Sequence, residues 1–228
     1  MKAAFLSFAR NSGGRVALGA STLIGLAWLL APSLREFLQS SKVLETDSQV
    51  AAWLHAAANP SIIEFMSWVS LFHGIGGVLC ITAIAATALY CYGEWDALPA
   101  LLASVPGGML INVGVKFAVQ RDRPDWGYGL DTLESFSFPS GHTQGATLYY
   151  GAVVLWLWPR IRNTWMRVAL LIIATSLVLL VATSRIVLGL HFLSDCIAAA
   201  LEALLWLAIC LGATHAAVRP TTRDRKKS

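Results

Sequence analysis

The chain has 228 residues, of which 56% are hydrophobic and only 13% charged, and its mean hydropathy is +0.61. With the apolar residues gathered into long blocks, these values exclude an ordinary soluble domain and point to a membrane protein. The net charge of +4 collects at the chain ends and in one loop, so it reads as an orientation signal and not as a nucleic-acid arm.

A span needs roughly 20 apolar residues at about 1.5 Å of rise each. On that measure the fold is all-α, a bundle of six spans at about 16–33, 75–91, 97–117, 142–158, 167–184 and 191–215. The first run is long and no convincing A-x-A site follows it, so it is expected to be a retained span. The stretch 61–91 exceeds one straight span. Gly74, Gly76 and Gly77 are expected to divide it into an interfacial helix, Ser61–Phe72, and a true span. No internal repeat stands out. One domain is expected over 1–217, followed by a basic cytoplasmic tail over 218–228.

An even number of spans puts both ends on one side. That side carries Lys2, Arg10, Arg15, Arg160, Arg162, Arg167 and the tail residues Arg219, Arg223, Arg225, Lys226 and Lys227, eleven of the seventeen Lys and Arg. By the positive-inside rule it is cytoplasmic. The outer ends of spans three to six then come together, and each carries a polar motif.

Lys116 and Arg123-Pro124 close span three. If the helix continues past the membrane surface, seven residues are close to two turns and both cations share a face, with Pro124 stopping the helix beyond Arg123. Pro139-Ser140-Gly141-His142 opens span four. Ser140 is a natural N-cap, Gly141 allows close backbone approach, and the helix N-terminus favours an anion. Ser184-Arg185 closes span five. His191 and Asp195 open span six, four residues apart and therefore on one helical face, where the carboxylate can fix the imidazole tautomer.

Three cations suit the charge that phosphoryl transfer spreads over the equatorial oxygens, and histidine can act as a nucleophile once its second nitrogen is held. No carboxylate cluster suited to magnesium accompanies them. The cysteines Cys80, Cys91, Cys196 and Cys210 form no CxxC pair or zinc-spaced cluster, so no structural metal or disulfide framework is expected.

Taken together, K-x6-R-P, P-S-G-H and S-R-x5-H-x3-D resemble the three-part signature of the type-2 phosphatidic acid phosphatase and vanadium haloperoxidase superfamily, and the six-span layout resembles its membrane branch. The resemblance implies that His191 is the nucleophile, Asp195 its orienter, and His142 the acid for the leaving oxygen and then the base for water. It implies that Lys116, Arg123, Ser140, Gly141 and Arg185 hold the phosphoryl oxygens.

The expected activity is metal-independent hydrolysis of a lipid phosphate or diphosphate through a phosphohistidine, with no cofactor. The site is expected to face the outside of a bacterial inner membrane, the periplasm where there is one. On the family resemblance alone, undecaprenyl diphosphate ranks narrowly first among the substrates, with phosphatidylglycerol phosphate and phosphatidic acid close behind. The alternatives are a lipid phosphotransferase using the same residues and a non-catalytic anionic-lipid binder or transporter. Outside the motifs, His55 and His73 are assigned to interfacial packing on the outer side, and His215 lies at the inner end of span six. Glu202 lies mid-span, with Asn112 as a candidate partner, and Asp122, Asp125, Asp131 and Glu134 are assigned to a solvated loop.

Overall fold

The computed structural model describes residues 2–95, 97–125 and 135–218, with side chains from Gly13 to Ala213. Asp131, Glu134, the side chains of Lys2, Arg10 and His215, and the basic residues from Arg219 onward lie outside that description. Eight helices follow one another: α1 (Lys2–Leu38), α2 (Ser41–Ala57), α3 (Pro60–Phe72), α4 (Ile75–Cys91), α5 (Ala97–Val119), α6 (Gly141–Leu157), α7 (Thr164–Val187) and α8 (Leu193–Val218). No strand occurs among the described residues. Val218, assigned to the tail from sequence, still belongs to α8.

Four helices, α1, α5, α7 and α8, are each long and apolar enough to cross a bilayer, and α3 with α4 makes a fifth candidate bent by 53°. The remaining expected span, α6, has 17 residues, close to the shortest length that crosses at about 1.5 Å per residue. The bend begins where expected. Asn59 caps α3 by accepting from the Ile62 N–H at 2.9 Å, and Pro60 occupies the first turn. Gly74 then caps α4. A Cβ on Gly77 would lie 1.9 Å from the Phe72 carbonyl oxygen, so the tight crossing between the two helices requires glycine there.

The core runs between α5, α6 and α8, where Val105, Ile111, Leu148, Ala203 and Trp206 are all buried. Small residues let these helices approach, as membrane bundles require in the absence of a hydrophobic drive between helices. A Cβ on Gly108 would meet Leu148 at 2.5 Å and Trp206 at 2.8 Å. Trp206 Nε1 donates to the carbonyls of Ala103 and Ser104 on α5. On α7, Leu171, Ile172, Ile173 and Leu179 remain exposed, an apolar face suited to lipid.

α2 is the element that sequence periodicity did not assign. Its apolar residues are interrupted by Lys42, Glu45 and Asp47, yet Ala51 and Asp47 are buried against the rest of the bundle. A buried carboxylate on an otherwise exposed helix calls for a charged partner, and that partner belongs to the site.

Candidate active site

The C-terminal ends of α5 and α7 and the N-terminal ends of α6 and α8 meet at one end of the bundle. Lys116, Arg123, Gly141, His142, Arg185 and His191 line a single groove of about 590 Å³. Backbone hydrogen bonds tie the motif segments together. The Ser137 N–H donates to the Arg121 carbonyl at 2.8 Å and the Ser140 N–H to the Asp195 carbonyl at 3.2 Å. After α7, Gly189 turns the chain at φ +69°, and the N–H groups of Leu190 and His191 both donate to the Arg185 carbonyl. That turn fixes His191 relative to Arg185.

Two local expectations are corrected. The helix carrying Lys116 does not continue to Arg123. It ends at Val119, and Gln120 takes a left-handed φ of +52°. Lys116 and Arg123 therefore reach the groove from a helix and a loop instead of one helical face. Likewise α8 begins at Leu193, so His191 lies in the turn before it and not on a face shared with Asp195. The pair still meets: His191 Nδ1 stands 3.5 Å from Asp195 Oδ2, slightly beyond hydrogen-bond length. Oδ2 also accepts from the Phe192 N–H at 3.0 Å. Asp195 is thus a helix cap and a neighbour of the imidazole at once.

The cations differ in how they are held. Lys116 Nζ donates to the carbonyls of Phe136 at 2.6 Å and Ser137 at 3.4 Å. Arg123 donates to the Leu190 carbonyl and to both the carbonyl and hydroxyl of Ser135, and its Nη1 stands 3.4 Å from His191 Nε2. Arg185 is 2% exposed and bonds Ser70 of α3 through Nη1, while its Nε and Nη2 have no partner among the described residues. Buried guanidinium donors left open in this way form a ready anion site.

Ser140 is fully buried and does not line the groove. Its hydroxyl accepts from the Thr143 N–H and hydroxyl at the start of α6. The first-turn amides of Gly141 and His142 face no intrahelical acceptor. Burial pushes the His191 imidazole down from 6.5 to about 3, against the upward pull of Asp195 and with Arg185 and Lys116 adding to the fall. His191 is therefore neutral at ordinary pH. Arg123 is lowered as well, chiefly by burial, with Asp195 opposing.

Four further polar residues complete the site's surroundings. Arg121 and Asp47 form a buried ion pair at 3.0 Å, and Arg121 also meets Asp195 at 2.6 Å. Ser194 accepts from Arg121 and donates to Asp47, and Ser70 accepts from Arg185. None of the four carries a local sequence signal, because each gains its partner only through contacts between residues far apart in the chain. Glu202 accepts from Gln144 Nε2 at 3.2 Å, and Asn112 Nδ2 reaches the Pro139 carbonyl at 3.5 Å. His73 lies between the Val69 carbonyl and the Tyr150 hydroxyl. Among the described residues no group of three or more His, Cys, Asp or Glu is placed to hold a metal ion. A larger cavity of about 930 Å³ between α4, α5, α6 and α8 contains none of the motif residues.

Comparison with known proteins places this geometry in a family. The sequence model of the PAP2 superfamily matches residues 97–219, from α5 to the end of α8. Phosphatidylglycerophosphatase B of Bacillus subtilis (strain 168) is 28% identical over 160 residues, covering 69% of this chain and 78% of that protein. The crystal structure of a transmembrane PAP2-type phosphatidylglycerolphosphate phosphatase from Bacillus subtilis superposes with a TM-score of 0.70 at 25% identity, over 90% of this chain and 97% of that one. With more than half of its length matched by the family and its fold shared with a solved member, the chain belongs to the PAP2 superfamily and is a membrane-embedded phosphatase.

Proposed function

We propose that the chain hydrolyses a lipid phosphate through a phosphohistidine on His191. The observation that carries the reading is the groove itself. Lys116, Arg123, His142, Arg185 and His191 line it together with the apolar side chains of Ile75 and Leu79 from α4 and Leu110 and Val113 from α5. A phosphate held by the cations and histidines would leave an attached acyl or prenyl chain beside apolar walls. Relatives named for phosphatidylglycerol phosphate favour a glycerol-linked phosphate, ahead of the polyprenyl diphosphate ranked first on the family resemblance.

In the proposed mechanism His191 Nε2 attacks phosphorus, the N–P bond forms and the P–O bond to the lipid breaks. His142 gives its proton to the departing oxygen. Water then attacks the phosphohistidine, His142 takes the water's proton, and inorganic phosphate leaves. Arg185, Arg123, Lys116 and the amides of Gly141 and His142 stabilise the charge on the phosphoryl oxygens. Asp195 holds the His191 tautomer. The charge asymmetry of the chain supports a site on the outer face of a bacterial inner membrane, with both termini cytoplasmic.

The test is phosphate release from a panel of lipid phosphates by purified protein in detergent, with chelator present. Turnover of a glycerol-linked monoester above a polyprenyl diphosphate supports the reading, and the reverse order restores the polyprenyl substrate. A labelled donor with a lipid acceptor separates hydrolysis from transfer. The absence of phosphate release from every lipid would overturn the proposed substrate class.

A further inference from the structure

Asp195 has two oxygens, and only one of them faces His191. Oδ2 accepts from the Phe192 N–H and lies beside His191 Nδ1, while Oδ1 accepts from Arg121 Nη1 at 2.6 Å. Arg121 is held in turn. Its Nη2 donates to Asp47 Oδ2 at 3.0 Å, and its guanidinium lies 4.0 Å from the centre of the Phe192 ring. Asp47 is anchored by the Ser194 N–H at 2.9 Å and by the Ser194 hydroxyl at 2.6 Å. Ser194 Oγ also accepts from Arg121 Nη1 at 2.8 Å. Arg121, Asp47 and Asp195 are 7%, 2% and 0% exposed, so the network is closed to water.

A guanidinium beside a single buried carboxylate prefers to engage both oxygens with its fork. Here that arrangement would take Oδ2 away from the imidazole. A second carboxylate, Asp47, draws Nη2 the other way and leaves Arg121 one-pronged on Asp195. We propose that Asp47 and Arg121 are positioning residues for the reaction: Asp47 keeps Arg121 from capturing both oxygens of Asp195, and so reserves Oδ2 for His191. Asp47 lies on α2, outside the segment that the family match covers. A helix preceding the matched segment thus reaches the reacting histidine through two side chains. The inference rests on the phosphohistidine reading above.

The test uses the purified full chain in detergent, with the lipid phosphate turned over fastest in the panel. Asp47→Asn keeps the shape and loses the charge. In Asp47→Asn kcat should fall by about ten- to a hundredfold, as for other residues that orient a reacting group. KM and inhibition by inorganic phosphate should stay within about threefold, because the cations of the groove are untouched. Orthovanadate bonds to the attacking nitrogen, so its inhibition should weaken along with kcat. In an Asp195→Asn background the same substitution should change the residual rate by less than about threefold, since both act through one carboxylate.

Arg121→Lys provides the second variant. An ammonium is one point charge without the fork that spans two carboxylates, and it should show the same split between kcat and KM. An unchanged kcat in folded Asp47→Asn, rate losses that multiply in the Asp195→Asn background, or a parallel shift of KM and phosphate inhibition each overturns the proposal. Loss of folded protein in both variants would show a pair that holds the fold and not the site, and overturns it too. Retained turnover in His191→Ala would instead overturn the phosphohistidine reading. An inactive His191→Ala beside a fully active Asp47→Asn overturns this inference alone.

Discussion

Arg123 Nη1 stands 3.4 Å from His191 Nε2, against the nitrogen that the proposed mechanism uses for attack. The same Nη1 donates to the Leu190 carbonyl at 2.6 Å, and the rest of the guanidinium is taken up by Ser135. Arg185 is the opposite case, with Nε and Nη2 buried and unpartnered among the described residues. One arginine is thus set for an anion before it arrives, and the other must exchange a carbonyl or share it.

That difference predicts a strong effect at Arg185. Arg185→Gln should lower kcat/KM by about 10²–10³, the usual loss when a donor aimed at transition-state charge is removed from a dry site. Arg185→Lys should restore little of it, because an ammonium cannot reproduce the planar pair of donors. Steady-state kinetics on a lipid phosphate measures both. A loss under tenfold for Arg185→Gln would mean that the guanidinium serves mainly to hold Ser70.

The neutral state of His191 has a consequence for stability. Burial lowers its pKa from 6.5 to about 3, whereas in the unfolded chain it titrates near 6.5. Between those values the unfolded state binds the extra proton, so this group's contribution is complete above pH 6.5 and declines as pH falls toward 3. Its share of the slope approaches about 1.4 kcal/mol per pH unit. His191→Gln should therefore lose less thermal stability than the natural chain between pH 6.5 and 5, measured as melting temperature in detergent. Parallel curves would show that His191 is charged in the folded protein.

The helical bundle and the convergence of the motif segments were legible because they rest on local signals. Apolar runs, Gly74 and Gly77, the Ser140 cap and the polar residues at the ends of those runs can all be read within a few positions of one another. The departures have a shared cause. Gln120 ends α5 in a left-handed turn because Arg121, the next residue, is drawn toward Asp47 and Asp195, partners 74 residues away on either side. Asp47 looks like a solvated charge on a mixed helix until that partner is in place. The span count was legible to within the short α6 and the bent α3–α4 pair.

Orientation is a separate prediction. Reporter fusions should place residue 228 in the cytoplasm and the 120–138 loop on the other side, because eleven of the seventeen Lys and Arg lie on the side of the termini. A C-terminus outside would move the groove to the inner leaflet and change which lipids reach it.

His142 gives the most searching test of the two-step mechanism. It lines the groove with His191, and its Nε2 faces Gly74 at the start of α4. Its proposed work is to protonate the leaving oxygen and then to take a proton from water. The first task matters less when the leaving group is already a weak base. A diphosphate expels a lipid monophosphate, which needs less protonation than the alkoxide expelled from a monoester. His142→Ala should therefore slow phosphoenzyme formation more on a monoester than on a diphosphate, by at least about tenfold in the ratio of the two rates. Rapid-quench trapping with labelled substrates measures that step apart from water attack, which should be slow with both. Equal losses on the two substrates would make His142 a phosphate-positioning residue and leave the acid to be found elsewhere in the groove.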